Sequence, residues 1–200
     1  MVAKRRSFPR PSAQRRYRKL FVLAVEGTVT EPQYFQMFNS EVSIIQVKCL
    51  KGGHKSGPFH VLKRMKKYLD DVELRKTDEA WLVVDKDEWS DSQLNELYQW
   101  SASTGQYGLA LSNPKFEYWL LLHYEQGKGV SSSRSCTERL NRYIKNYDKG
   151  IEGKLPTLEQ VKNAVERAKL RDTPPCKDWP RESGQSTVYK LVEAILQSDE

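Results

Sequence analysis

At 200 residues, 38% of them hydrophobic and 30% charged, the chain has room for one α/β domain with a sizeable core. Its longest apolar stretches fall far short of the ~20 residues that span a bilayer, and no apolar run follows the basic N-terminus as it would in a signal peptide. These features argue against a membrane protein and for a cytoplasmic one. Cys49, Cys136 and Cys176 lie far apart without a CxxC pair, which argues against a disulfide framework or structural zinc.

The net charge of +7 is unevenly placed. Lys4, Arg5, Arg6, Arg10, Arg15, Arg16, Arg18 and Lys19 fall in the first twenty residues, with no acid among them; setting those eight aside leaves 25 basic residues against 26 acidic ones. The body is therefore near neutral and a cationic arm, residues 1–18, carries the excess. Such an arm suits a polyanion, because neutralising phosphates releases condensed counterions. Arg5, Arg6, Arg15, Arg16 and Arg18 are its candidate nucleic-acid contacts; a solvated tail without a partner is the alternative. With Pro9 and Pro11, the arm is expected to order only on binding, if at all.

Lys19–Val25 is a continuous apolar run, as expected of a central parallel strand covered on both faces. Gly27 breaks it. Thr30 and Gln33 have capping-box spacing before a helix whose apolar face holds Tyr34, Phe35 and Phe38. Ser43–Leu50 reads as a second strand and residues 52–58 (GGHKSGP) as a loop. A helix over about 58–75 follows, with Phe59, Leu62, Met65, Leu69 and Val72 at helical spacing. Ala80–Val84 is a third strand, Asp91–Ser103 a helix burying Leu94, Leu97 and Tyr98, and Tyr107–Leu111 a fourth strand. Lys115–Tyr124 looks helical. After a Gly/Ser-rich break at 127–133, helical patterns cover about 135–147, 157–170 and 186–197, with a loop at 174–184 before the last. Alternation of strands and helices through residue 124 predicts an α/β fold with a mostly parallel, Rossmann-like sheet flanked by helices. The expected organisation is the arm (1–18), an α/β domain (19–126) and a C-terminal helical extension (127–200) packed on it.

The chemistry is expected at the carboxyl ends of the strands, where parallel sheets bind ligands. Glu26 ends the first strand and Asp85 the third. Asp87, two residues on, points the same way as Asp85 if the backbone stays extended. Glu31 sits at a helix start, which suits an acid in any case. Glu117 starts the helix beyond the fourth strand, on the same edge. Carboxylates without His or Cys suit Mg²⁺ or Mn²⁺, ions that activate water and clamp the oxygens of phosphoryl transfer. His123, beside Trp119 and Leu122, reads better as a packed core residue than as a proton donor. The 52–57 loop is not a Walker motif, since Pro58 stands where the lysine belongs; Lys55 and His54 remain candidates to touch a substrate phosphate.

Three blocks, EGTVTEP (26–32), DEAWLVVDKDEW (78–89) and SNPKFEYWLLLHY (112–124), resemble in order and spacing the motifs of RloB-like proteins, the group that includes the AbiLii-type abortive-infection component. The closing STVYKLVEAI (186–195) resembles the family's C-terminal helix, so the resemblance spans nearly the whole chain beyond the arm. It implies a divergent Toprim domain, the metal-binding α/β fold of topoisomerases, primases and OLD-family nucleases. Glu26 would be the Toprim glutamate, Asp85 and Asp87 its DxD pair, and Glu31 the second acid of an EGxTE-type variant. Lys115 stands where the family often has Cys, which gives that position no catalytic role. The implied function is a metal-dependent nuclease of antiviral defence, cutting DNA or RNA (tRNA among the candidates), with an AAA-type ATPase as a partner and a homo-oligomer left open. A silent nucleic-acid-binding or sensor subunit and a non-hydrolytic phosphotransfer enzyme are the rival readings.

Overall fold

The computed structural model describes residues 19–40, 43–50, 57–86, 89–145, 147, 150–151 and 153–199, without the side chains of Pro58 and Asp199. Four parallel strands form the sheet: β1 (Lys19–Val25), β2 (Ile45–Leu50), β3 (Glu79–Asp85) and β4 (Tyr107–Asn113). A two-residue fifth strand, β5 (Gln185–Ser186), adds antiparallel to β4, giving the order β2-β1-β3-β4-β5. The α/β architecture is thus a mostly parallel, Rossmann-like sheet, and the chain reverses direction of winding between β1 and β3.

β1 is buried along both faces, which explains its unbroken apolar sequence. Phe21, Leu23 and Val25 face one core and Val22 and Ala24 the other. On the second face lie α2 (Pro58–Asp71) and α3 (Asp91–Ser101), contributing Val61, Leu62, Met65, Leu94 and Leu97. The first face carries the larger core. There α1 (Thr30–Gln36), α4 (Phe116–Leu121), α5 (Ser133–Leu140), α6 (Leu158–Arg171) and α7 (Val188–Asp199) pack together. Tyr34 lies at its centre, edge-on to Phe35, Phe38, Phe116, Trp119 and His123. The helices of the C-terminal extension share this core with β1 rather than forming one of their own.

Local signals set most helix starts. α3, α5 and α6 each begin with a capping box, at Ser90/Gln93, Ser132/Ser135 and Thr157/Gln160. The capping box expected at Thr30/Gln33 does not form: α1 begins after Val29 with no side-chain cap. Its two polar side chains serve tertiary contacts instead. The Thr30 hydroxyl lies 3.2 Å from the Tyr147 hydroxyl, and Gln33 Oε1 accepts the Ile151 N–H at 2.7 Å.

Other boundaries move for tertiary reasons. α2 ends at Asp71, and Val72 is already extended. Phe59, expected on its buried face, is 59% exposed, while Val61 takes the inward position. α4 is only six residues and α5 stops at Leu140. β5 was not expected, because two residues carry no periodicity. It is fixed by partners: the Ser186 and Ser112 hydroxyls are 2.9 Å apart and the Thr187 N–H donates to Leu111 O at 2.8 Å. The Ser-Thr pair before α7 therefore stitches the C-terminal helix to β4.

Candidate metal and catalytic site

Since β1 and β3 are neighbours, the residue that follows one and the last residue of the other meet at the carboxyl edge of the sheet. These are Glu26 and Asp85. The Asp85 N–H donates to Glu26 Oε2 at 3.3 Å, and the Glu26 N–H continues the strand pairing by donating to Val83 O at 3.0 Å. Asp85 Oδ1 accepts the Phe116 N–H at 2.8 Å, which draws the start of α4, and with it Glu117, to the same place. Glu31 comes from the first turn of α1; its Oε1 accepts the Gly27 N–H at 2.8 Å. Glycine is required here for space: a Cβ on Gly27 would fall 2.1 Å from Glu31 Oε2.

Sequence reasoning missed Tyr147 and Arg64, and it named Lys115 without linking it to Glu117. The Tyr147 hydroxyl donates to Glu117 Oε1 at 2.9 Å, so its single proton is committed and Thr30 must donate to Tyr147 in turn. Lys115 reaches within 3.9 Å of Glu117 Oε2 while donating to Thr137 Oγ1 at 2.7 Å. Arg64, from α2, donates to the carbonyl of Val25, one residue before Glu26. Tyr147 is thirty residues beyond Glu117 and carries no local signal; only the fold brings it in.

The electrostatics show crowding. Burial, then the charges of Glu31, Glu117 and Glu26, hold the Asp85 carboxyl well above the ordinary carboxylate range. Glu31, 6% exposed, is raised by burial above all and further by Glu117 and Glu26, against the lowering effect of its backbone hydrogen bonds. Cys136 borders the cluster: burial, then Glu117, pushes its thiol up to about 12, so it is an inert packing residue. Burial brings His123 down to about 4. With Tyr34 at 3.1 Å from its Nε2 and the Trp119 carbonyl at 3.0 Å from its Nδ1, it is a satisfied core residue away from the acids.

Glu26, Glu31, Asp85 and Glu117 are thus brought together. Asp87, Lys55 and Arg5, Arg6, Arg15, Arg16 and Arg18 lie outside the described residues. Among the described residues no group of three or more His, Cys, Asp or Glu is placed to hold a metal ion. Each of the four acids instead accepts a protein donor that fixes its direction. The donors are all oxygen, the kind a hard divalent cation takes, and burial, with the neighbouring carboxylates adding to it, raises the proton affinity of Asp85 and Glu31. Beside it, Thr28 and Val29 line a cleft of about 720 Å³ of mixed polar and apolar surface, with Gln33, Gln36, Val47 and Lys48.

Topology and site together define the class: a Toprim-like, Rossmann-like α/β protein with an acidic crevice where the winding reverses. The chain belongs to the RloB-like protein family, whose pattern it matches over residues 21–195. No curated protein and no solved structure matches it. No helix among the described residues is long and apolar enough to cross a membrane.

Proposed function

We propose that the protein is a metal-dependent nuclease of antiviral defence, acting in the cytoplasm on phosphodiester bonds of DNA or RNA. The observation that supports this most is the convergence of Glu26 and Asp85, joined by a hydrogen bond of 3.3 Å and crowded by two further acids. Glu26, Asp85 and Asp87 would hold Mg²⁺ or Mn²⁺, with Glu31 and Glu117 assisting. When bound, the ion activates water and stabilises the attacking and leaving oxygens of phosphoryl transfer.

The chain's own residues supply orientation. The Phe116 N–H fixes the direction of Asp85, the Gly27 N–H that of Glu31, and the Thr30–Tyr147 relay that of Glu117. Preorganised groups of this kind need no rearrangement as charge develops. Lys115 supplies a countercharge 3.9 Å from Glu117 Oε2 and no catalytic group. The arm over residues 1–18 would hold the polyanion near an otherwise repulsive acidic edge. An ATPase would be the partner that couples cleavage to a signal.

The test is a panel of plasmid, single-stranded DNA and total tRNA incubated with Mg²⁺ or Mn²⁺, beside Asp85→Ala and Glu26→Ala. Metal-dependent cleavage lost in both variants is expected. If Asp85→Ala cuts as fast as the wild type, the assignment is wrong. Salt-sensitive binding that EDTA leaves unchanged, with no turnover of any substrate, would instead identify a silent sensor subunit.

A further inference from the structure

α2 presents an unusual outer face. Phe59, in its first turn, is 59% exposed, and His60 stands edge-on to it with ring centroids 5.7 Å apart. One turn on comes Lys63, and another turn on Lys66 and Lys67, all three exposed. Residues four and seven to eight apart share one face of a helix. Phe59 and these lysines line a surface groove of about 440 Å³, together with Leu62, Asp70 and Glu96. No ion pair among the described residues uses any of the three lysines.

The face is tied to the crevice at both its strands. α2 packs on β1 and β3, the two strands whose ends carry Glu26 and Asp85. Arg64, on the same helix, holds the Val25 carbonyl next to Glu26. At the start of α2, Gly57 lies under the ring of Trp89: an added Cβ would come within 2.8 Å of it. Trp89 belongs to the segment that leaves Asp85. The aromatic end of the face is therefore the end nearest the acids, and the lysines lead away from them down the helix, over a rise of ~12 Å from Phe59 to Lys67.

From this placement we infer that the outer face of α2 is a track for single-stranded nucleic acid, with Phe59 stacking on a base and Lys63, Lys66 and Lys67 tracking the backbone that leaves the crevice. An exposed ring flanked by unpaired cations is the combination that binds single strands without reading sequence. A duplex would use the cations but hide its bases from the ring, and an acidic protein segment, which could use both, would compete with the oligonucleotide rather than bind it. The inference rests on the nuclease reading for the position of the scissile bond, but binding can be measured without cleavage.

The test is fluorescence anisotropy in EDTA, with labelled oligodeoxynucleotides and oligoribonucleotides of one length, each single-stranded and duplex, over a salt series. Phe59→Ala should weaken single-strand binding by about 5- to 100-fold with an unchanged salt slope, because a stacked base carries no charge contact. The combined Lys63→Gln, Lys66→Gln and Lys67→Gln variant should flatten the slope of log K against log salt by about 2, at ~0.7 per lost phosphate contact. Glutamines at Lys128, Lys145 and Lys162, exposed elsewhere, should leave that slope much less altered. These side chains project into solvent, so thermal unfolding should match the wild type. Whichever sugar binds better names the substrate. The track is refuted if the wild type binds no oligonucleotide, if the α2 variants bind like the wild type, if duplex depends on Phe59 as strongly as single strand, or if the control lysines reproduce the α2 effect. The cleavage panel separates the two readings: no metal-dependent turnover of any substrate by the wild type, with the α2 binding effects intact in EDTA, would overturn the nuclease reading and leave the track standing.

Discussion

Adding one methyl group at Gly27 tests whether Glu31 is locked into the crevice. The new Cβ would stand 2.1 and 2.6 Å from the two Glu31 carboxyl oxygens and 2.7 Å from Cδ, all inside the 3.0 Å that real Cβ atoms respect. A long exposed side chain would swing aside at little cost. Glu31 is 6% exposed and holds the Gly27 N–H at 2.8 Å, so it has nowhere to go without losing that bond. Overpacking costs ~1–3 kcal/mol and the hydrogen bond contributes ~1 kcal/mol, giving a total of about 2–4 kcal/mol for Gly27→Ala. At ~2–4 °C per kcal/mol for a chain of this size, the melting temperature should fall by roughly 4–16 °C. The backbone of Gly27 is not left-handed, so the loss comes from the contact and not from strain. Urea denaturation in EDTA of the wild type, Gly27→Ala, Glu31→Ala and the double variant isolates it. In the Glu31→Ala background the methyl has room, and its cost should shrink to ~0.5 kcal/mol or less. An equal cost in both backgrounds would refute the packing described here.

The remaining expectations concern charge. Because Asp85 titrates well above its ordinary value near 3.8, the folded protein binds more protons than the unfolded chain between those two values, so stability conferred at acid pH is lost as pH rises through that window. Chemical denaturation in EDTA between pH 4 and 8 should show this decline, and saturating Mg²⁺ should flatten it; a metal-free slope of the opposite sign would count against the crowding. For the same reason Asp85→Asn, which keeps the oxygen that accepts from Phe116, should raise the melting temperature of the metal-free protein. Calorimetry showing a lower one would mean the negative charge is not a burden. At 100 times its dissociation constant, a bound ion adds ~2.7 kcal/mol to the wild type, and Asp85→Asn should forfeit most of that gain. Tyr147→Phe removes the donor to Glu117 and the acceptor of Thr30 and should cost about 1–3 kcal/mol in urea denaturation. An unchanged midpoint would show the relay to be idle.

How much of this was legible in the sequence follows from where each signal lives. The run Leu20–Val25 announces a strand buried on both sides, and a residue ending such a strand has one place to go, which is why Glu26 and Asp85 stand out. Their meeting depends on β1 and β3 being neighbours, a fact of sheet order rather than of local pattern. Glu31 and Glu117 were readable as acids at helix starts, but that position explains an acid by itself; only Gly27 and Tyr147 show what holds them. Thr30 and Gln33 misled because the spacing of a capping box says nothing about competing partners, and Tyr147 and the Ile151 amide claimed both side chains. Phe59 misled because helical periodicity admits several adjacent stripes as the buried one, and the sheet chose the stripe through Val61, Leu62 and Met65. β5 was invisible, since its pairing is specified by Ser112 and Leu111, more than seventy residues away.

The central claim, that these carboxylates form a metal centre, is tested most directly by titrating Mn²⁺ into the metal-free protein and counting bound ions by electron paramagnetic resonance. The wild type should bind Mn²⁺ saturably, in competition with Mg²⁺, and Asp85→Asn and Glu26→Gln should each lose that binding while remaining folded. Wild-type stoichiometry and affinity in both variants would contradict it.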